Sequence, residues 1–86
     1  MPDIILYTKD NCPLCEYAKE ELMKLNKQMN VTYEEVDIYK DDLLLEKFGL
    51  MIPVVEYRGE LVQYGRVDAE SLLNFLKNGK QRLKTN

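Results

Sequence analysis

The stretch Ile4–Leu25, IILYTKDNCPLCEYAKEELMKL, holds both cysteines of the chain, Cys12 and Cys15, at the point where a turn becomes a helix. Ile4 to Tyr7 form a short continuous apolar run, the mark of a strand buried on both faces. Thr8 to Asn11 then supply a polar turn. From Pro13 onward Leu14, Ala18, Leu22, Leu25 and Met29 recur at intervals of four, four, three and four. That pattern is one face of a helix running from about Pro13 to about Met29. Proline is favoured at the first helical position, where its missing N–H costs nothing, so Cys12 falls on the N-cap. Its sulfur there faces the free N–H groups of Leu14 and Cys15 and the positive end of the helix dipole. Both stabilise a thiolate and lower a thiol pKa below its usual ~8.5. Cys15, one turn further, lies on the side that continues into Ala18 and Leu22 and is expected to be less exposed. The expected division is Cys12 as nucleophile and Cys15 as resolving thiol, which must reach the first sulfur to release a product.

The rest of the chain supplies a scaffold for that junction. VTYEEVDIY, residues 31–39, alternates Val31 and Tyr33, then Val36 and Ile38, and reads as a second strand with a phase slip at Glu34-Glu35. Asp41 or Asp42 caps a short helix, LLLEKF, which Gly49 ends. Val54 to Tyr57 and Glu60 to Tyr64 are β-rich runs around Arg58-Gly59, a two-residue link suited to a tight hairpin. Asp68 caps a last helix over AESLLNFLKN, with Gly79 as its stop. The order strand, helix, strand, helix, hairpin, helix predicts a βαβ unit joined to an antiparallel hairpin. The fold class is therefore α/β, with one mixed sheet of four strands and helices packed on it.

The chain has 86 residues, enough for one domain, and 45% hydrophobic with 31% charged residues is an ordinary globular composition. A net charge of −3 argues against binding a phosphate backbone, so no nucleic-acid partner is expected. Lys77, Lys80, Arg82 and Lys84 read as a solvated helix end and tail, cations being favourable there. The expected boundaries are a domain over residues 1–79 and a basic C-terminal tail over residues 80–86. The opening apolar run is too short for a signal-peptide core or a membrane span, so a cytoplasmic protein with no membrane partner is expected. In that compartment thiols are kept reduced, and a Cys-x-x-Cys pair reads as redox-active or metal-binding rather than as a structural staple. A metal site lacks ligands, since tetrahedral zinc takes four, usually Cys or His, and the chain has two cysteines and no histidine. Two buried cysteines without a redox role are the third reading, which the helix-start position disfavours.

The segments YTKDNCPLC, MIPVVEY and YGRVDAESLLNFL resemble the glutaredoxin-like branch of the thioredoxin superfamily, over essentially the whole chain. The resemblance is closest to small, mostly bacterial glutaredoxin-like proteins without an assigned substrate. It implies a three-layer fold with helices on both faces of the sheet and thiol–disulfide oxidoreductase activity. Lys9, Cys12, Pro13 and Cys15 match the glutaredoxin active-site pattern, with Leu14 in place of the usual aromatic residue. Pro53 matches the family's cis-proline, which faces the cysteines, and Ile52 before it pairs its backbone with substrate.

The match departs at Tyr64-Gly65-Arg66-Val67-Asp68, where glutathione-using glutaredoxins carry a Gly-Gly pair and an acidic residue. Arg66 is a candidate for holding a carboxylate, against the plain alternative of a surface arginine. Met51 before Ile52 also replaces a commoner threonine and narrows the groove. No resident cofactor and no metal are expected, and the departure puts glutathione use in question. The expected partners are a protein disulfide substrate or a reductase, acting on a monomer. The alternative function is a non-enzymatic peptide-binding or metal- or cluster-binding module on the same scaffold; mere docking, however, needs no thiols.

Overall fold

In the computed structural model, which describes residues 2–77, the opening apolar run forms β1 (Ile4–Thr8), and the missing alternation has a direct cause. Ile4 and Leu6 point into one core and Tyr7 into another, on opposite faces of the sheet. β1 pairs in parallel with β2 (Tyr33–Asp37) and antiparallel with β3 (Val54–Tyr57), which in turn pairs antiparallel with β4 (Glu60–Tyr64). The strand order is β2-β1-β3-β4, the mixed four-stranded sheet expected from the element order.

The helices lie on both sides of this sheet. α1 (Pro13–Met29) places Ala18, Leu22 and Leu25 against Ile4, Leu6 and Val55, together with Leu72 of α3 (Ala69–Lys77). These side chains are almost wholly out of water, so truncating Leu22 to alanine removes transfer energy and leaves a cavity, a loss of about 2–5 kcal/mol. On the other face α2 (Asp42–Phe48) covers Tyr7, Ile38 and Val54 with Phe48. The Tyr7 and Phe48 rings meet at 4.7 Å between centroids, and the Tyr7 hydroxyl donates to Glu56 Oε1 at 2.6 Å.

β2 ends earlier than its sequence suggests. Asp37 accepts a hydrogen bond from the Tyr39 N–H at 2.9 Å and starts a single 3-10 turn over Ile38–Lys40. The register from Ile4↔Tyr33 to Thr8↔Asp37 is unbroken, so the phase slip expected at Glu34-Glu35 is absent. Tyr33 packs into one core and Val36 into the other, because both faces of the strand are covered. Asp41, rather than Asp42, caps α2 by accepting from the Leu43 N–H, and Gly49 is its C-cap. Arg58 and Gly59 both have positive φ, 49° and 87°, which is the twist a two-residue hairpin requires. Gly79, the proposed boundary at residue 79 and the basic tail lie outside the described residues; Lys77 closes the described part of α3.

Candidate active site

Register places the site at one end of the sheet. Tyr7 pairs with Val54 and Val54 with Tyr64. The segments that continue from them therefore gather at that end: Thr8 to Cys12 after β1, Ile52-Pro53 before β3, and Gly65-Arg66 after β4. Asn11, with φ 55°, turns the chain there; asparagine tolerates this left-handed conformation better than most residues. Cys12 follows as the N-cap of α1 with extended backbone, and Pro13 takes the first helical position.

Cys12 and Cys15 are joined as a disulfide, their Cα atoms 5.1 Å apart. The Cys15 N–H donates to Cys12 Sγ at 3.1 Å. This is one of the two donors expected at the helix start; Leu14 supplies no such bond to the sulfur among the described residues. Cys15 is fully buried, whereas Cys12 keeps 9% of its surface and lines a hollow with Asn11, Pro13 and Glu16. The helix start thus makes the two cysteines unequal: Cys12 keeps a little exposed surface beside a hollow and Cys15 keeps none. Leu14, at the first turn, is 45% exposed and free to meet a partner.

The Ile52–Pro53 peptide is cis. Ile52 leans on the cluster around Tyr7 and Phe48, and among the described residues neither its N–H nor its C=O finds a hydrogen-bond partner. Pro53 is buried, and its carbonyl accepts from the Gly65 N–H at 2.8 Å; the same N–H reaches the Met51 carbonyl at 3.0 Å. Gly65 therefore ties the turn after β4 to both sides of Ile52.

Two of the expected site residues, Lys9 and Arg66, do not line the hollow at Cys12. Lys9 opens onto a neighbouring hollow with Asp37 and Tyr39 and does not line the one at Cys12. Arg66 forms no ion pair among the described residues; its guanidinium carbon lies 5.5 Å from the centre of the Tyr17 ring. Tyr17, to which sequence reasoning gives no site role, is thereby paired with Arg66 and lines a separate hollow with Glu21, Lys24 and Asp68. Its 49-residue distance from Arg66 conceals the pairing, which only the sheet topology reveals.

A second residue missed in the sequence is Glu21. It is 4% exposed, accepts from the Ala69 N–H at 2.9 Å and from Lys24 Nζ at 2.8 Å, and so joins α1 to the first turn of α3. The Lys24 bond first, then the Ala69 N–H, hold its carboxyl below the usual glutamate range. Asp68 caps α3 as expected, accepting from the Ser71 N–H at 2.8 Å. The position of Glu21 in the sequence carried a usable signal: residues 18, 21, 22 and 25 form one helix stripe, and a carboxylate among three apolar residues demands a partner.

A mixed sheet in the order β2-β1-β3-β4, covered by helices on both faces and carrying Cys-x-x-Cys at the start of its first helix, defines a thioredoxin-like protein. The same fold is found in the structural genomics target protein XcR50 from X. campestris, with 28% identity, TM-score 0.75, and 88% of this chain and 97% of that one covered. A mutant form of the thioredoxin-like protein BC3987 is 30% identical over 90% of this chain and 97% of its own, with TM-score 0.63. The glutaredoxin of Archaeoglobus fulgidus matches in fold, at 23% identity and TM-score 0.61 over 90% of this chain and 88% of its own. The chain belongs to the glutaredoxin-like domain family (DUF836), whose model matches residues 3–77.

Proposed function

We propose that the protein is a thiol–disulfide oxidoreductase in which Cys12 attacks and Cys15 resolves. The observation that carries this reading is the inequality of the pair: an N-cap cysteine that lines a surface hollow, its sulfur accepting from the N–H of a fully buried cysteine. In the reduced protein the Cys12 thiolate attacks one sulfur of a substrate disulfide, and the other substrate sulfur leaves and takes a proton. Cys15 then loses its proton and attacks Cys12 Sγ, the second substrate thiol departs, and the protein is left as the disulfide. Two electrons from a donor dithiol restore the starting state. Such a cycle belongs in a reducing compartment such as the cytosol.

The substrate class this reading favours is a protein disulfide lying as a short strand against Ile52, whose N–H and C=O, unpaired among the described residues, offer two backbone bonds. The favoured donor is a dithiol or a flavin-linked thioredoxin reductase. Glutathione is less suited because the Gly65 N–H is already committed to Met51 and Pro53, and because Arg66 and the buried Val67 stand where two glycines would allow close approach. Losing two hydrogen bonds, at ~0.5–1.5 kcal/mol each, lowers affinity about five- to a hundredfold.

The test is reduction of insulin, followed by precipitation of its free B chain, with either a dithiol or glutathione plus its reductase at matched potential. Turnover above background is expected with the dithiol and is lost in Cys12→Ser. Faster turnover with glutathione would overturn the donor assignment, and no turnover with any donor would overturn the activity itself.

A further inference from the structure

We infer that Glu35 on β2 is a positioning residue for the cysteine pair: it holds both flanks of the segment that carries Cys12 and Cys15, and so keeps the Cys12 sulfur on the start of α1. This role rests on the oxidoreductase reading and adds to it a residue outside the site on which the attacking thiolate depends. One carboxylate oxygen makes both connections. Glu35 Oε2 accepts from the Thr8 hydroxyl at 3.0 Å and lies 3.0 Å from Lys19 Nζ. Thr8 is the last residue of β1, just before the turn that leads to Cys12, and Lys19 is in the second turn of α1. The segment from Thr8 to Lys19 is thus closed through a third element, with both cysteines inside it.

Each end of the connection is anchored. Leu6 points into the core beneath α1, and Thr8, two residues on, shares that face and is itself buried. A buried hydroxyl that loses its acceptor costs free energy, so Thr8 and Glu35 hold each other in place. Lys19 is held by Glu35 and, one turn back, by Glu16 at 3.0 Å; these bonds, Glu35 first, keep its ammonium above the usual lysine range. A lone exposed ion pair contributes little. Here the same oxygen also serves a buried hydroxyl, and what lies between the two bonds is the turn before Cys12. That turn holds Asn11 at φ 55°, a left-handed conformation that persists only when its surroundings impose it. Cys12 follows directly, its sulfur accepting the Cys15 N–H. If the flanks separate, the turn relaxes and the thiolate loses that donor. The charged groups around Cys12 are Glu16, which lines its hollow, and Lys9, Asp10 and Asp37, which line the next one. Glu35 lines neither, so its hold on the sulfur runs through the backbone. Through space its negative charge would disfavour a thiolate, and through the turn it favours one.

Those opposite signs are separated by alkylation. Fully reduced wild type, Thr8→Val, Thr8→Ser and Glu35→Ala are treated with iodoacetamide over a range of pH, and modification of Cys12 is followed by peptide mapping. Thr8→Val removes the donor at nearly constant size and charge. Its curve is expected to move to higher pH, with alkylation about threefold slower on the acid limb and the same alkaline plateau. Thr8→Ser keeps the hydroxyl and restores the wild-type curve. Glu35→Ala moves the curve in the same direction as Thr8→Val, although loss of a negative charge by itself would move it lower. Variant curves that coincide with wild type, as a role in stability alone would give, or a shift to lower pH in Glu35→Ala, would overturn the inference. If Thr8→Val does not fold, the direction of the Glu35→Ala shift decides alone. Insulin reduction by wild type is measured alongside. Turnover with unshifted curves overturns the role of Glu35 and leaves the oxidoreductase reading intact, and no turnover with any donor overturns both.

Discussion

At the scale of single residues, the two cysteines differ because a helix start is not symmetrical. Cys12 has extended backbone outside the helix and its sulfur faces an N–H, whereas Cys15 is inside the helix on the packed side. This difference was legible in the sequence, because proline marks the first helical position and the apolar spacing marks the buried side. What the sequence did not show was Arg66 on Tyr17, since no local pattern links a residue of α1 with one 49 positions later, past β4. The expected consequence of the cysteine geometry is selective alkylation. After full reduction, iodoacetamide at neutral pH should modify Cys12 about tenfold or more faster than Cys15, because exposure and thiolate character both favour the first sulfur. Peptide mapping of a quenched time course measures the two rates. Equal rates would mean that burial of Cys15 does not persist once the disulfide opens.

At the scale of elements, α1 and α3 are coupled through a buried charge. Glu21 occupies a core position of α1 and supplies the acceptor that the first N–H of α3 lacks, with Lys24 balancing its charge from the solvent side. Glu21→Gln keeps the size but loses the charge and weakens both bonds. A loss of about 1–2 kcal/mol is expected, read as a fall in Tm on thermal unfolding. The pH dependence has a definite sign. A folded carboxyl held below its unfolded value contributes stability that is complete above the ordinary glutamate range, near ~4.3, and is lost as pH falls through the folded pKa. Wild type should therefore lose more stability than Glu21→Gln on acidification below that range. Parallel acid limbs for the two proteins would show that the charge at Glu21 does not stabilise the helix pair. The helices themselves were legible from caps and periodicity; the early end of β2 was not, because Val31 to Tyr39 keeps strand-like residue types throughout. The Asp37 side chain ends the strand by capping Tyr39, a local bond that composition does not reveal.

At the scale of the whole molecule, the sheet separates two cores and gathers the site at one end. The four-strand order followed from the alternation of element types, since a βαβ unit and a hairpin leave few ways to share one sheet. Tyr7 joins these levels: it is in an inner strand, packs on Phe48, and has its phenol pushed up to about 12 by burial, then by the hydrogen bond to Glu56 and the charge of Glu56. A phenol that holds its proton more tightly when folded contributes stability below pH 10, the unfolded value, and loses it as pH rises towards 12. Alkaline unfolding followed by circular dichroism should accordingly be steeper in wild type than in Tyr7→Phe across that window, and equal steepness would remove Tyr7 from the account.

The central claim, that Cys12 attacks and Cys15 resolves, is tested most directly by trapping. Cys15→Ser and Cys12→Ser are each reduced, mixed with a disulfide-bonded protein such as oxidised insulin, quenched with acid and analysed by mass spectrometry without reductant. The account predicts a mixed disulfide through Cys12 in Cys15→Ser, because the attacking thiol remains while the releasing thiol is gone, and none in Cys12→Ser, whose remaining sulfur is buried. Equal trapping by both variants, or trapping by Cys12→Ser alone, would contradict it.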